Sequence, residues 1–323
     1  MAGLPSWVAE LDCPIPGRLS PFADPVQDWL LDWVERVDGP LDPAARQRLA
    51  RSGVARYAGR LYPDASEADL RVLTALFLWF FLLDDACDGT GTPRPAQVSA
   101  LCAEVLRLLR GESPVRPEAL PGPLRRMLTH AWQTPRHRMT AGWRARFVDA
   151  VAHHLHGVVA EASNKATGRR PDVASYVPLR RATSAAYVSY ALIEFATGCP
   201  VPDAVYHHPA VRAVADKAND LLSWFNDLLS LDRDAATSGG HNLVLAVARE
   251  QRITVEAAMP LVVRRWREAM RDFGPLRAAV PSFGPDLDDA LGRYLDGVAN
   301  SVRGTMDWSL ESARYADALT VNR

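Results

Sequence analysis

The sequence predicts an all-α protein with buried helices packed around a centre, and three observations carry that expectation. From Pro25 onward, apolar residues recur at helical spacing in segments opened by Pro or a capping residue. No stretch alternates as a half-buried strand would, and no Gly-rich phosphate loop follows a strand-like run. The stretch 71–91, RVLTALFLWFFLLDDACDGTG, is apolar on nearly every side, as only a buried helix can be.

Residues 1–24 form a Pro-rich arm (Pro5, Pro14, Pro16, Pro21), and 25–323 read as one helical domain. Helices are expected over Asp28–Val37, with Trp29, Leu30, Trp33 and Val34 on one face, and over Pro43–Leu61, with Asp42 as N-cap. The aspartate-bearing helix follows, then Pro95–Leu109, Pro117–Trp132 and Gly142–Thr167. Ala174–Thr197 is expected to break or kink near Thr183–Ser184. Val211–Asp234, Thr254–Phe273, Leu287–Val302 and a short Met306–Ala318 complete the set.

Composition narrows the function classes. The chain has 323 residues, 48% hydrophobic and 23% charged, with a net charge of −1, so neither a nucleic-acid surface nor an anionic-membrane surface is indicated. Four cysteines (Cys13, Cys87, Cys102, Cys199) lack zinc spacing and read as free thiols. The N-terminus has no signal-peptide pattern and the longest apolar run, Ala75–Leu83, is too short to span a bilayer, so a cytoplasmic protein is expected. A homodimer is compatible with the sequence.

The chemistry is concentrated in two places. Asp84 and Asp88 are four apart and share a helix face, about 6 Å apart along the axis, with Asp85 beside them and Gly89 and Gly91 to end the helix. Carboxylates crowded at the end of a greasy helix call for a cation, and Mg²⁺ suits few carboxylates plus substrate phosphates. A calcium loop does not fit, because Ala86 and Pro95 stand where it needs ligands. The second place is NDLLSLDRD, 226–234, in which Asn226, Ser230 and Asp234 form one oxygen-bearing stripe while Asp227 faces elsewhere. Asn219, Ser223 and Asp227 repeat the spacing seven residues earlier. Facing one another, the two helices would hold several Mg²⁺ ions around a diphosphate, with Phe77 and Phe81 lining an apolar pocket beneath and Phe80 in core packing.

These motifs resemble the bacterial class I terpene synthases. Asp84-Asp85-Ala86-Cys87-Asp88 is similar to the family's DDxxD motif, and Asn226 to Asp234 to its NDxxSxxxE motif, with Asp at the usual Glu. Trp224 and His241-Asn242-Leu243-Val244 select the Asn226 register. Leu179-Arg180-Arg181-Ala182-Thr183 resembles the diphosphate-sensing segment, Trp308 with Arg314-Tyr315 the C-terminal pair, and CPIPGRLSPFADP the N-terminal arm.

The resemblance implies a single-domain bundle around a central apolar cavity and a three-Mg²⁺ site. Asp84 and Asp88 would hold two ions, and Asn226, Ser230 and Asp234 the third. Arg180, Arg233, Arg314 and Tyr315 would contact the diphosphate, and Arg180, Thr183 and Ser184 would trigger ionisation; Thr183 and Ser184 stand where Asp and Gly are usual. Phe77, Phe81 and Trp308 would stabilise cations through their faces. The implied activity is Mg²⁺-dependent cyclisation of a linear prenyl diphosphate, farnesyl diphosphate first and geranylgeranyl diphosphate next. A chain-elongating prenyl transferase and a non-catalytic prenyl-diphosphate-binding protein are the alternatives. Asp286-Leu287-Asp288-Asp289 reads as a helix start and His153, His154 and His156 as a polar helix face.

Overall fold

The computed structural model describes residues 6–88, 94–236 and 240–311, all helices and connections. In chain order they are α1 (Ser6–Ala9), α2 (Ala23–Asp38), α3 (Pro43–Arg51), α4 (Val54–Leu61), α5 (Glu67–Asp88), α6 (Pro95–Arg110), a 3₁₀ turn (Pro117–Ala119), α7 (Gly122–Arg138) and α8 (Ala141–Thr167). There follow α9 (Val173–Thr183), α10 (Ala186–Thr197), α11 (Asp203–Tyr206), α12 (Pro209–Leu229), α13 (Leu231–Ala236), α14 (Leu243–Gln251), α15 (Val255–Ala278) and α16 (Pro285–Glu311). No described helix is long and apolar enough to cross a membrane.

α12 is the hub. It is buried along most of its length and packs against α9, α10, α15 and α16. Buried tryptophans fix neighbouring helices by donating indole N–H to backbone carbonyls: Trp79 on α5 to Leu124 (2.8 Å), Trp143 on α8 to Ala191 (2.7 Å) and Trp266 on α15 to Leu221 (2.8 Å). Each joins two elements and satisfies its own indole N–H in the core. Arg146 of α8 and Glu194 of α10 form a buried ion pair at 2.8 Å, and Glu194 also accepts the Val201 N–H at 2.7 Å. Those extra bonds let two charges remain in the core.

Several boundaries differ from the expected ones. Pro43–Leu61 is two helices, because Gly53 takes a left-handed φ of 64° that only glycine adopts at little cost. Asp42 does cap α3, accepting the Ala45 N–H at 2.8 Å. The expected Leu287–Val302 helix and the start of the expected Met306–Ala318 helix are one, α16, and residues 312–318 lie outside the described residues. Gly304 continues through it because a Cβ there would lie 3.0 Å from Arg60 Cβ, so glycine allows α16 to close against α4. The helix α14 was not expected; Asn242 starts it by accepting the Val244 N–H at 2.9 Å. The DxDD sequence is a helix start: Asp288 accepts from Ser282 Oγ (2.5 Å) and Phe283 N–H (2.8 Å) ahead of it.

Candidate active site

A cavity of about 520 Å³ opens between α5, α8, α9, α12 and α16. Its rim is polar and its wall is aromatic. Asp84 and Asp85, both exposed, stand on the α5 side. Asp88 closes α5, and its side chain lies outside the described residues.

Across the opening stand Asn226 and Asp234. The stripe is not on one helix as expected. α12 stops at Leu229 and α13 starts at Leu231, with Ser230 between them at φ −94°, ψ 6°. The register survives, because Ser230 N–H still donates to Asn226 O (2.8 Å) and Asp234 N–H to Ser230 O (2.9 Å). Ser230 Oγ donates to Asp234 Oδ2 at 2.6 Å, and Asn242 Nδ2 reaches the same oxygen at 3.0 Å. Among the described residues no group of three or more His, Cys, Asp or Glu could hold a metal by itself. The oxygens here belong to a mixed set, an amide, a hydroxyl and carboxylates, and neutral oxygens of that kind suit a hard cation that shares its shell with a phosphate.

Arg180 lines the cavity from the last turn of α9. Its Nε donates to Asp227 Oδ1 (2.8 Å) and one Nη to Asn226 Oδ1 (2.9 Å). Burial works against its charge, yet the Asp227 carboxylate and the Tyr176 hydroxyl outweigh it and its pKa is raised. Asp227 is as expected off the Asn226 stripe. It is buried, and it also accepts from Tyr176 OH (2.7 Å) and Leu243 N–H (3.0 Å). A carboxylate so fully hydrogen-bonded anchors the arginine rather than a metal.

The other register, Asn219 and Ser223, has a structural task. Asn219 Nδ2 donates to Arg181 O (2.9 Å), and its Oδ1 receives Ser223 Oγ and Ser184 Oγ, both at 2.8 Å. This pins the break between α9 and α10, where Ala185 adopts a left-handed φ of 57°. Thr183 and Ser184 line the cavity at that break.

On the wall, Tyr57, Phe81 and Trp308 stack with nearly parallel planes; Tyr57 and Trp308 centroids are 4.3 Å apart and Phe81 and Trp308 5.8 Å. Trp308 is oriented by donating to Gly53 O at 3.1 Å, so the α3–α4 break serves the wall. Two expectations are corrected here. Phe77 does not line the cavity; it is buried edge-on beneath Tyr57 at 5.3 Å. Phe80, expected in packing, does line it. A helix through which all sides are apolar gives no phase with which to tell these rings apart. Arg233 lines the rim, exposed, with its Nε 3.5 Å from Asp234 Oδ1. Arg314 and Tyr315 lie outside the described residues. His154, expected on a polar face, is buried and lines the cavity, whereas His153 and His156 are exposed. Tyr57 and the Glu161–Lys165 pair (2.8 Å) at the rim were not anticipated; an i,i+4 acid–base pair reads in sequence as any solvated helix face.

The family model described as terpene synthase family 2, C-terminal metal binding, matches residues 75–272, more than half of the chain and the span that carries both oxygen-bearing segments. This chain belongs to the bacterial class I terpene synthases. It is accordingly an enzyme of the terpene synthase class. It is similar to germacrene A synthase of Nostoc punctiforme, 27% identical over 94% of both chains. It is 30% identical, over 95% of this chain and 94% of the other, to the (+)-T-muurolol synthase ((2E,6E)-farnesyl diphosphate cyclizing) of Roseiflexus castenholzii. The crystal structure of linalool/nerolidol synthase from Streptomyces clavuligerus superposes with a TM-score of 0.81 at 28% identity, covering 92% of this terpene synthase and 99% of that chain.

Proposed function

We propose that this terpene synthase ionises a linear prenyl diphosphate with the aid of three Mg²⁺ ions and closes the resulting carbocation into a cyclic product. Farnesyl diphosphate is the first candidate substrate and geranylgeranyl diphosphate the second. The observation that carries the reading is one cavity with oxygen donors from two helices at its rim and stacked aromatic rings below. Its volume of about 520 Å³ falls within the ~300–1,000 Å³ of small-ligand pockets. A relative that cyclises farnesyl diphosphate supports the chain length.

In this reading Asp84 and Asp88 hold two ions, and Asn226, Ser230 and Asp234 the third. Bound Mg²⁺ supplies the positive charge that stabilises the departing diphosphate. Arg180 adds a charge fixed in direction by Asp227, so no reorganisation is needed as the C–O bond breaks. Arg233, Arg314 and Tyr315 complete the diphosphate contacts. Thr183 and Ser184 sit between Arg180 and the strained Ala185, where diphosphate binding is felt by the cavity wall. Tyr57, Phe80, Phe81 and Trp308 exclude water and give the cavity an aromatic wall whose π-electrons stabilise the allylic cation.

The test is incubation with geranyl, farnesyl and geranylgeranyl diphosphate, with and without Mg²⁺, read by gas chromatography–mass spectrometry and diphosphate release. A cyclic C15 product formed only with Mg²⁺ is expected. Elongation after addition of isopentenyl diphosphate, or no release from any substrate, would overturn the reading.

A further inference from the structure

His154 is placed by two local facts. α8 and α9 approach so closely that a Cβ on Gly157 would lie 2.6 Å from Ala182 Cβ. Three residues earlier on the same face of α8, His154 therefore meets the end of α9. There the helix is broken. In an unbroken helix the Ala186 N–H would bond Ala182 O, but it turns to Ser184 Oγ at 3.2 Å. The Ala182 carbonyl is left for His154, whose Nδ1–H donates to it at 3.2 Å.

That bond fixes the tautomer, so Nε2 carries the lone pair. No described residue hydrogen-bonds Nε2. The ring packs edge-on against Phe80, 6.0 Å between centroids, and both line the cavity. Phe80 is four residues before Asp84 on α5, about 6 Å along the axis, so the ring that His154 packs against lies one turn inside the acidic rim, and Val158 and Leu222 line the same cavity. Burial holds its pKa down to about 4, which keeps the ring neutral at ordinary pH. A cap for Ala182 needs only Nδ1. Nothing in that task requires a second nitrogen on a residue that lines the cavity.

We infer that His154 Nε2 is the base that ends the reaction, removing a proton from carbon adjacent to the final cationic centre. The inference rests on the cyclase reading of the preceding section. The C–H bond breaks, its electron pair becomes the alkene π bond, and the proton goes to Nε2. The imidazolium then gives the proton to diphosphate or water as the products leave, which its low basicity favours.

His154→Asn separates this role from a structural one, because the Asn amide can still donate to Ala182 O but has no atom at the Nε2 position. Wild type and H154N are incubated with farnesyl diphosphate and Mg²⁺, with diphosphate release, product ratios and thermal melting measured on the same samples. Since general bases contribute about 10²–10⁴, the main wild-type alkene should fall about tenfold or more as a share of H154N products. Isomeric alkenes or alcohols should replace it, with diphosphate still released. If H154N does not fold, H154Q carries the same comparison. Unchanged product ratios in the folded variant overturn the inference and leave the cyclase reading intact, as does an alcohol as the main wild-type product. Absence of diphosphate release by wild type overturns the cyclase reading and this inference with it.

Discussion

One helix of this enzyme carries the same three residue types twice at the same spacing, Asn219–Ser223–Asp227 and Asn226–Ser230–Asp234, the second running past its end. The two sets have different fates. The first is 0%, 1% and 1% exposed, and its polar atoms are taken up by Ser184, Arg181, Tyr176 and Arg180. Of the second, Asn226 and Asp234 line the cavity where α12 gives way to α13 and Ser230 is buried between them, while of the first only Asp227 lines it, bound to Arg180. The lesson is that spacing alone does not decide which oxygen donors can meet a ligand, because the same residue types at the same helical spacing are taken up by packing in one set and reach the cavity in the other. The buried set holds Arg180 and the α9–α10 break in place, and the rim set is the one proposed to meet the metal.

Substitutions should separate the two sets cleanly, beginning with the largest effect. Asn226→Ala or Asp84→Asn should lower diphosphate release about 100-fold or more, since each ~1.4 kcal/mol of lost transition-state stabilisation is tenfold. Their melting temperatures should stay near wild type, as checked by circular dichroism. Asp227→Ala should do the opposite to stability. It strands a buried Arg180, at a cost of roughly 3–5 kcal/mol in denaturant titration. Asn219→Ala should cost about 1–3 kcal/mol by the same measurement, through the lost pin at Ala185.

The all-α fold, the two oxygen-bearing segments and the break near Thr183–Ser184 were legible in the sequence, because apolar periodicity, capping residues and residue spacing are local signals. Phe77 and Phe80 were exchanged because rotation of a wholly apolar helix is set by its neighbours, here Tyr57 and Tyr62, which pack onto Phe77. The α3–α4 break depended on a left-handed Gly53 whose partner, Trp308, is distant in sequence. His154 looked like one of three surface histidines; its burial follows from Gly157, which matters only once α9 is beside it.

A pH titration sharpens the contrast further. In the unfolded chain His154 takes up a proton near 6.5, whereas the folded one refuses it until about 4. Stability should therefore fall as pH drops through that window, and less so in H154N. His153 and Glu161 are the charged neighbours that act on it, in opposite directions. The smallest effect is expected of Asp234→Glu. The added methylene restores the family's usual residue at a half-buried carboxylate held by Ser230 and Asn242, and the Mg²⁺ concentration for half-maximal rate should move less than about tenfold.

The central claim, that the rim set and not the buried set binds metal for ionisation, is tested most directly by one titration. Diphosphate release from farnesyl diphosphate is measured against Mg²⁺ concentration for wild type, N226A and N219A, below the melting temperature of each. The account predicts saturable Mg²⁺ dependence for wild type, the same midpoint for N219A, and near-background release for N226A at all concentrations. A wild-type response in N226A, or a shifted Mg²⁺ midpoint confined to N219A, would contradict it.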